Sequence, residues 1–155
     1  MKRRSLSLAV PIALALVAVP AQADAPPDQY RPFVRTDPEV RDAQTGLIWR
    51  RAVSASVKFA DAAAACPTGT VTYRLPTMKE LQTLVDEQPH DEYENGALVR
   101  KAIDGSAFPA TPAVPFWSGS TGAADPGSAW VVDFASGAAT LRDKNELHPV
   151  RCVRP

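Results

Sequence analysis

The sequence predicts one α+β domain in which two helices pack on a small antiparallel sheet. A hairpin pattern comes first, two helix patterns follow, and a strand meander ends the chain. This order favours an α+β domain over a parallel α/β sheet, in which strands and helices alternate. The 155 residues suit a single domain. Fifteen prolines and eight glycines indicate long loops and exclude a simple helical bundle.

The first 23 residues have the pattern of a secretory signal peptide. Three basic residues at positions 2–4 precede an apolar run over residues 6–19, and Ala21-Gln22-Ala23 supplies a small-residue cleavage site. We therefore predict an exported protein, periplasmic or extracellular, that does not span a membrane once residues 1–23 are removed. Removal of three of the 17 basic residues leaves 14 against 17 acidic side chains, so the mature chain has a net charge of −3.

An extended, proline-rich lead-in at residues 24–35 is predicted to precede the folded domain, which spans residues 36–155. The domain begins with a hairpin over residues 40–49. Asp42 and Gly46 supply the turn chemistry between its two strands.

Two helices are predicted after the hairpin. Ser56 is the expected N-cap of the first helix, which runs to about Ala65 and stops before Pro67. The second helix has the stronger start signal, because Thr77 and Glu80 form a Thr-x-x-Glu capping box.

The middle of the chain is predicted to be mainly loop. The acidic stretch over residues 86–96 reads as a solvated loop, and its Asp91, Glu92 and Glu94 lack the ligand spacing of a calcium loop. Residues 99–103 are expected to add a helical turn, and a long loop spans residues 104–115.

The C-terminal part is predicted to be an antiparallel meander. Residues 116–118 lead into a loop that ends near Ser128, and residues 129–134 form a strand. Ser136-Gly137 turns the chain back along residues 138–142, and a last strand spans residues 148–154.

The two cysteines, Cys66 and Cys152, are predicted to form a disulfide. In an oxidising compartment a lone cysteine pair is most simply a bridge, here between the end of the first helix and the last strand. The alternative is a catalytic thiol, which needs a histidine neighbour.

No motif predicts catalysis, a metal site or a cofactor. His90 and His148 lack the His-x-x-x-His spacing of a zinc site, and residues 119–122 do not form the Gly-x-Ser-x-Gly motif of hydrolases. Two cysteines cannot build a four-thiolate zinc site or an iron–sulfur cluster. The charge balance gives no reason to expect a nucleic-acid partner. We therefore predict a non-enzymatic binding module.

Ligand recognition is predicted at the loops of the C-terminal half. Trp117 leads directly into a loop, whereas Trp49 and Trp130 lie in apolar strand-like runs, where burial is the default. Loops on a rigid scaffold commonly carry recognition, so we expect loops 118–128 and 143–148 to contact the ligand. The candidate residues are Trp117, Ser118, Arg142, Lys144, Asn145 and His148.

A local basic patch for an anionic polymer is a further hypothesis. It would combine Arg142, Lys144, Arg151 and Arg154 with Arg50, Arg51 or Arg74. The simpler interpretation of these charges is a solvated face.

Six short motifs occur in an order that resembles a known bacterial family. They are residues 42–49, residues 73–77 with Glu80-Leu81, Ile103-Asp104 with Phe108-Pro109, Phe116-Trp117-Ser118, Ala129-Trp130 with Phe134, and residues 150–154. In this order they resemble the Lcl C-terminal domain, a domain of unknown function that is also found at the end of a collagen-like adhesin. The resemblance covers about residues 36–154.

The resemblance implies a C-type-lectin-like fold with a disulfide between the first helix and the final strand. Residues 74–77 also resemble formylglycine-generating enzymes, which mature sulfatases and have a related fold. Those enzymes need reactive cysteines beyond a structural bridge, and this chain has only two cysteines. The sequence also lacks the Glu-Pro-Asn, Gln-Pro-Asp and Trp-Asn-Asp motifs of calcium-dependent lectins.

The expected function is therefore calcium-independent binding of a polysaccharide, such as a glycosaminoglycan, or of an envelope or surface partner. Two alternatives stay open: an envelope enzyme related to the formylglycine-generating proteins, and a structural envelope component that binds another protein.

The signal-peptide prediction can be checked at the N-terminus of the exported protein. N-terminal sequencing should begin at Asp24, because cleavage follows the small residue Ala23. An exported protein that retains residues 1–23 would contradict it.

Overall fold

The computed structural model describes residues 28–31, 37–94 and 96–155. Within them the chain is an α+β domain dominated by antiparallel strands, which confirms the predicted class. The strands are β1 (Tyr30–Arg31), β2 (Glu39–Asp42), β3 (Ile48–Arg50), β4 (His90–Glu94), β5 (Ala97–Lys101), β6 (Pro115–Thr121), β7 (Ser128–Asp133), β8 (Ala139–Asp143) and β9 (Val153–Arg154). The helices are α1 (Phe59–Ala62) and α2 (Met78–Gln82).

The predicted N-terminal hairpin is confirmed. Strands β2 and β3 pair antiparallel, with Val40 opposite Trp49, inside a four-stranded sheet of order β1-β2-β3-β9. Gly46 turns the chain at φ +76°, a conformation that favours glycine, and its N–H donates to the Asp42 carbonyl at 2.8 Å. The Asp42 carboxylate accepts from the N–H of Gln44 at 2.9 Å, so this side chain fixes the turn.

Both predicted helices are present, and both are short. The expected N-cap of α1 at Ser56 was wrong: the N-cap is Lys58, which makes no side-chain capping hydrogen bond. The capping box of α2 is confirmed, because Thr77 Oγ1 accepts from the Glu80 N–H and the Glu80 carboxylate accepts from the Thr77 N–H. Arg74 holds the same carboxylate through two hydrogen bonds of 2.6 and 2.8 Å.

Two predictions for the middle of the chain were wrong: the solvated loop over residues 86–96 and the helical turn over residues 99–103. Residues 90–94 and 97–101 form the two-stranded β4–β5 hairpin, in which Tyr93 lies opposite Leu98. The side chains of β4 alternate between the two faces of the hairpin, which explains why an acidic segment can form a strand here. Glu92 and Glu94 lie on the face that holds the buried Lys101, while Tyr93 and Asp91 lie on the exposed face.

The third sheet, of order β6-β7-β8, packs between two hydrophobic clusters. Phe116 and Val132 contribute to one cluster, which also contains Trp49 of β3 and Leu81 of α2. Trp117 and Val131 contribute to the other, which contains both cysteines. Strand β6 continues to Thr121, so the loop predicted from residue 118 begins only after residue 121.

The C-terminal residues connect these layers. Of the strand predicted over residues 148–154, only Val153–Arg154 is a strand; the rest is extended chain bonded to several elements. The predicted disulfide is confirmed: Cys66, four residues after α1, is bonded to Cys152, and the two Cα atoms are 5.6 Å apart. The neighbouring Arg151 is fully buried, and its guanidinium donates to the carbonyls of Arg50 and Arg51 at 3.0 and 2.9 Å.

The signal peptide predicted at residues 1–23 lies outside the described residues, as does most of the lead-in at 24–35. The described part of that lead-in includes β1, which pairs antiparallel with β2. Among the described residues, no helix has both the length and the apolar character needed to cross a bilayer.

The Glu80 cap generates a pH-dependent prediction. The hydrogen bonds from Arg74, together with those from Thr77, lower the pKa of Glu80 from 4.5 to about 2. A carboxylate with a lowered folded pKa contributes stability above its unfolded pKa and loses it as the pH falls through the folded value. Glu80→Gln should therefore cost about 0.5–2 kcal/mol of unfolding free energy at pH 7. The difference from wild type should shrink between pH 4.5 and about 2.

Urea unfolding monitored by circular dichroism across this pH range measures the difference directly. Lys79→Gln is the control, because Lys79 is an exposed residue of the same helix. A Glu80→Gln effect that does not change with pH would contradict the assignment.

Candidate functional site

The structure brings three of the six predicted ligand residues, Trp117, Lys144 and His148, into one cluster around Phe59. The Trp117 ring meets the Phe59 ring edge-on at 5.5 Å and the His148 ring at 4.7 Å between centroids. The Lys144 ammonium lies 5.1 Å above the centre of the Phe59 ring, a cation–π arrangement. Phe59 was not predicted as a site residue, because only tertiary contacts place it beside loop 143–148.

Backbone hydrogen bonds fix this loop to the start of α1. Val57 and His148 exchange two N–H···O bonds of 3.0 and 3.1 Å, and the Phe59 N–H donates to the Lys144 carbonyl at 3.1 Å. The Trp117 indole N–H donates to the Val57 carbonyl at 2.9 Å. The loop therefore rests on a fixed support, which is the usual arrangement of a recognition loop.

Trp117 supports this surface from beneath it, whereas the neighbouring Ser118 has its partner on β7. Both are fully buried, and Ser118 Oγ donates to the Trp130 carbonyl at 2.8 Å. The prediction placed Trp117 at the entrance to a loop, whereas it lies inside β6, a strand covered on both faces. The roles of the six residues in ligand binding stay predictions.

The residues that reach solvent here are Arg142 and Asp143 on β8 and Asn145, Glu146 and Leu147 in the loop. The Asn145 side chain and its N–H both donate to the Asp143 carboxylate, at 3.0 and 2.8 Å. The His148 ring nitrogen lies 3.1 Å from a carboxylate oxygen of Glu146. The exposed face therefore combines a guanidinium, a carboxamide, two carboxylates and one apolar side chain.

Trp130 was predicted to be a core residue, and the structure leaves it only partly buried. It lies opposite Leu141 of β8, which is 41% exposed. The cross-strand register could not be read from sequence, since it depends on the length of the turn at residues 134–138. Trp49, by contrast, is fully buried, as predicted.

The structure removes three members from the hypothetical basic patch, because they are buried or paired elsewhere. Arg151 is buried, Arg154 makes two hydrogen bonds of 2.9 Å with the Glu39 carboxylate, and Arg74 is bonded to Glu80. The hydrogen bonds from Arg154 are the main reason that the pKa of Glu39 is lowered. Arg142 and Lys144 are the basic side chains that remain beside loop 143–148.

A second charged cluster lies on the inner face of the β4–β5 hairpin. The Lys101 ammonium is 2% exposed and contacts carboxylates of both Glu92, at 3.0 Å, and Glu94. Burial opposes the charge of Lys101, but the hydrogen bonds with Glu94 and Glu92 outweigh it and raise its pKa. The hydrogen bonds from His90 and Lys101 lower the pKa of Glu92. These carboxylates are therefore bonded to side chains of the chain itself, the Lys101 ammonium and the His90 ring.

The described part of the chain contains no group of three or more His, Cys, Asp or Glu side chains arranged to hold a metal ion. All the cysteines of the chain are in the Cys66–Cys152 disulfide, so the free thiol required by the enzymatic alternative is absent.

Comparison with known proteins gives one match. The sequence model of the Lcl C-terminal domain covers residues 38–154, as the ordered motifs predicted. No curated protein and no solved structure matches the chain significantly.

The support under loop 143–148 can be tested at Trp117. Trp117→Phe removes the donor to the Val57 carbonyl and should lower the unfolding free energy by about 1–3 kcal/mol. Amide exchange at Val57 and His148 should also become faster, because their paired bonds lie against the ring. Trp130→Phe, at a half-buried tryptophan of the adjacent strand, should have a smaller effect. Equal effects of the two variants on stability and exchange would contradict this role.

Proposed function

The chain belongs to the Lcl C-terminal domain family, and we propose that it is an exported, non-catalytic module that binds a polysaccharide without calcium. The binding surface is Arg142 together with loop 143–148. The observation that carries this proposal is the combination of exposed polar side chains with a rigid support made by Val57, Phe59 and Trp117.

The chemistry of the surface suits a sugar polymer. Hydroxyl groups can bond with the Arg142 guanidinium, the Asn145 carboxamide and the Glu146 carboxylate, which offer both donors and acceptors. Lys144 lies in the same loop, so an anionic polymer would meet two cationic side chains. Its Nζ also donates to the Pro126 carbonyl, which restrains the side chain. Pre-ordering of this kind reduces the entropy lost on binding.

Two features support the non-catalytic and calcium-independent parts of the proposal. Both cysteines are in the disulfide, whereas a relative of formylglycine-generating enzymes would need a free thiol. Glu92 and Glu94 of β4 are bonded to His90 and Lys101, and Asp91 pairs with Arg100, so these carboxylates are not gathered as oxygen ligands. The disulfide also fits export, since such bonds persist in oxidising compartments.

Within this proposal the fold is of the C-type-lectin-like class. Its support is the disulfide that joins the segment after α1 to the residue before β9, together with the long loop region at residues 104–114. These features agree with what the family resemblance implies.

An array of neutral, uronic and sulfated polysaccharides, probed with the full chain in the presence of a calcium chelator, tests the proposal. Arg142→Ala combined with Asn145→Ala should weaken binding by about tenfold, which corresponds to the loss of one or two hydrogen bonds with charged groups. Binding of an anionic polymer should also decrease as ionic strength rises, because the exposed charges are screened.

Arg41→Ala is the matched control, because Arg41 is an exposed arginine on β2, in a different sheet. Flat signals across the array would reject the polysaccharide, and so would equal losses for the two variants. Capture of a single envelope protein that depends on Arg142 and Asn145 would instead favour the protein-binding alternative.

A further inference from the structure

Strand β8 is the outer strand of its sheet, and its free edge carries backbone groups with a defined register. It pairs with β7 so that Thr140 lies opposite Val131 and Arg142 opposite Ala129. Two backbone bonds show which residues of β8 face β7. The Asp133 N–H donates to the Ala138 carbonyl, and the Lys144 N–H donates to the Gly127 carbonyl. The amides of Ala139, Leu141 and Asp143 therefore point away from β7, toward the open side.

The outer edges of β6 and β9 are covered by the chain itself. On β6, the N–H groups of Trp117 and Gly119 donate to the carbonyls of Pro149 and Pro76, at 3.0 and 2.7 Å. On β9, Val153 exchanges two backbone bonds with Arg74. No described residue forms such a bond with the backbone of Leu141, and residues 140–143 are all exposed.

Strand β8 also lacks the features that usually protect an edge from pairing. It contains no proline, and the irregular register of the sheet lies between β6 and β7 rather than at β8. Its one basic and one acidic side chain, Arg142 and Asp143, give it no net charge that would repel another strand.

We propose that the free edge of β8 pairs antiparallel with β8 of a second copy of this chain, across a two-fold axis at Leu141. In this register the two Leu141 residues exchange N–H···O bonds, and each Asp143 amide donates to the Ala139 carbonyl of the other copy. The two three-stranded sheets then form one continuous six-stranded sheet. This interface is proposed independently of the polysaccharide site, with which it shares Arg142 and Asp143.

The side chains favour a second copy as the occupant because the strand is complementary to itself. Each Arg142 lies opposite the neutral Thr140 of the other copy, and each Asp143 opposite Ala139, so no like charges face one another. The exposed parts of the two Leu141 side chains meet near the axis, next to the half-buried Trp130 of each copy. A contact of one short strand is small, so the dimer is a reversible one.

Two substitutions at Thr140 test the register, because they should change the strength of dimerisation in opposite directions. Thr140→Arg places like charges directly opposite at Arg142 of the other copy, twice per dimer, and should weaken dimerisation by at least about threefold. Thr140→Glu places an opposite charge there and should strengthen it by a similar factor. Thr140 is exposed in the single chain, so both variants should fold, which circular dichroism checks. Sedimentation velocity over a range of protein concentrations measures the dimer fraction.

Residue-resolved amide exchange of the wild-type chain is the second measurement. Protection of the Leu141 and Asp143 amides should increase with protein concentration, whereas the Thr140 and Arg142 amides, bonded to β7, should be protected throughout. A chain that stays monomeric would overturn the proposal, as would equal shifts for both variants or Leu141 protection that does not depend on concentration. A monomer whose Leu141 amide is protected only by an added envelope extract would identify a partner's strand as the occupant instead.

Discussion

The structure depends most on the way residues 148–154 are bonded into the middle of the molecule. His148 and Val150 bond to residues 54–57, Cys152 is bonded to Cys66, and Val153 pairs with both Trp49 and Arg74. Arg151 adds the strictest requirement. A buried guanidinium costs several kcal/mol unless most of its donors are satisfied. Here it lies against the Phe108 and Phe116 rings, and its Nη1 and Nη2 donate to neutral oxygens of residues 50, 51 and 111. Burial lowers its pKa, so the surrounding carbonyls and rings must be in place for the charge to be tolerated.

The bonding of the C-terminal residues into the middle of the molecule explains why the candidate surfaces lie at the periphery. Because β6 and β7 are covered on both faces, their side chains are used for packing, including Trp117 and Val131 on one face and Phe116 and Val132 on the other. What remains for recognition is the outer strand of that sheet and the loop that follows it. The same residues that bury Trp117 also hold loop 143–148 against α1, so the stability of the core and the order of the proposed binding surface are coupled.

Several elements were predictable because their signals are local. The turn between β2 and β3 needs Asp42 to cap it and Gly46 for a positive φ, and both requirements can be read within five residues. The capping box of α2 is also local, since Thr77 and Glu80 are three residues apart. The β4–β5 hairpin was missed because its acidic side chains look solvated in sequence. They gain their partner only when Lys101, seven residues after Glu94, turns its ammonium inward from the paired strand.

The sequence by itself determined the family, the α+β class, the pairing of Cys66 with Cys152, and the local caps and turns, because each follows from short motifs or from the presence of only two cysteines. Only the tertiary structure decided which tryptophan is only partly buried, which arginines are already paired, and that β8 has a free edge. Burial and register are properties of contacts between distant segments. Arg151 and Arg142 are both basic residues of the C-terminal region, yet one lies between two aromatic rings and the other lies in solvent.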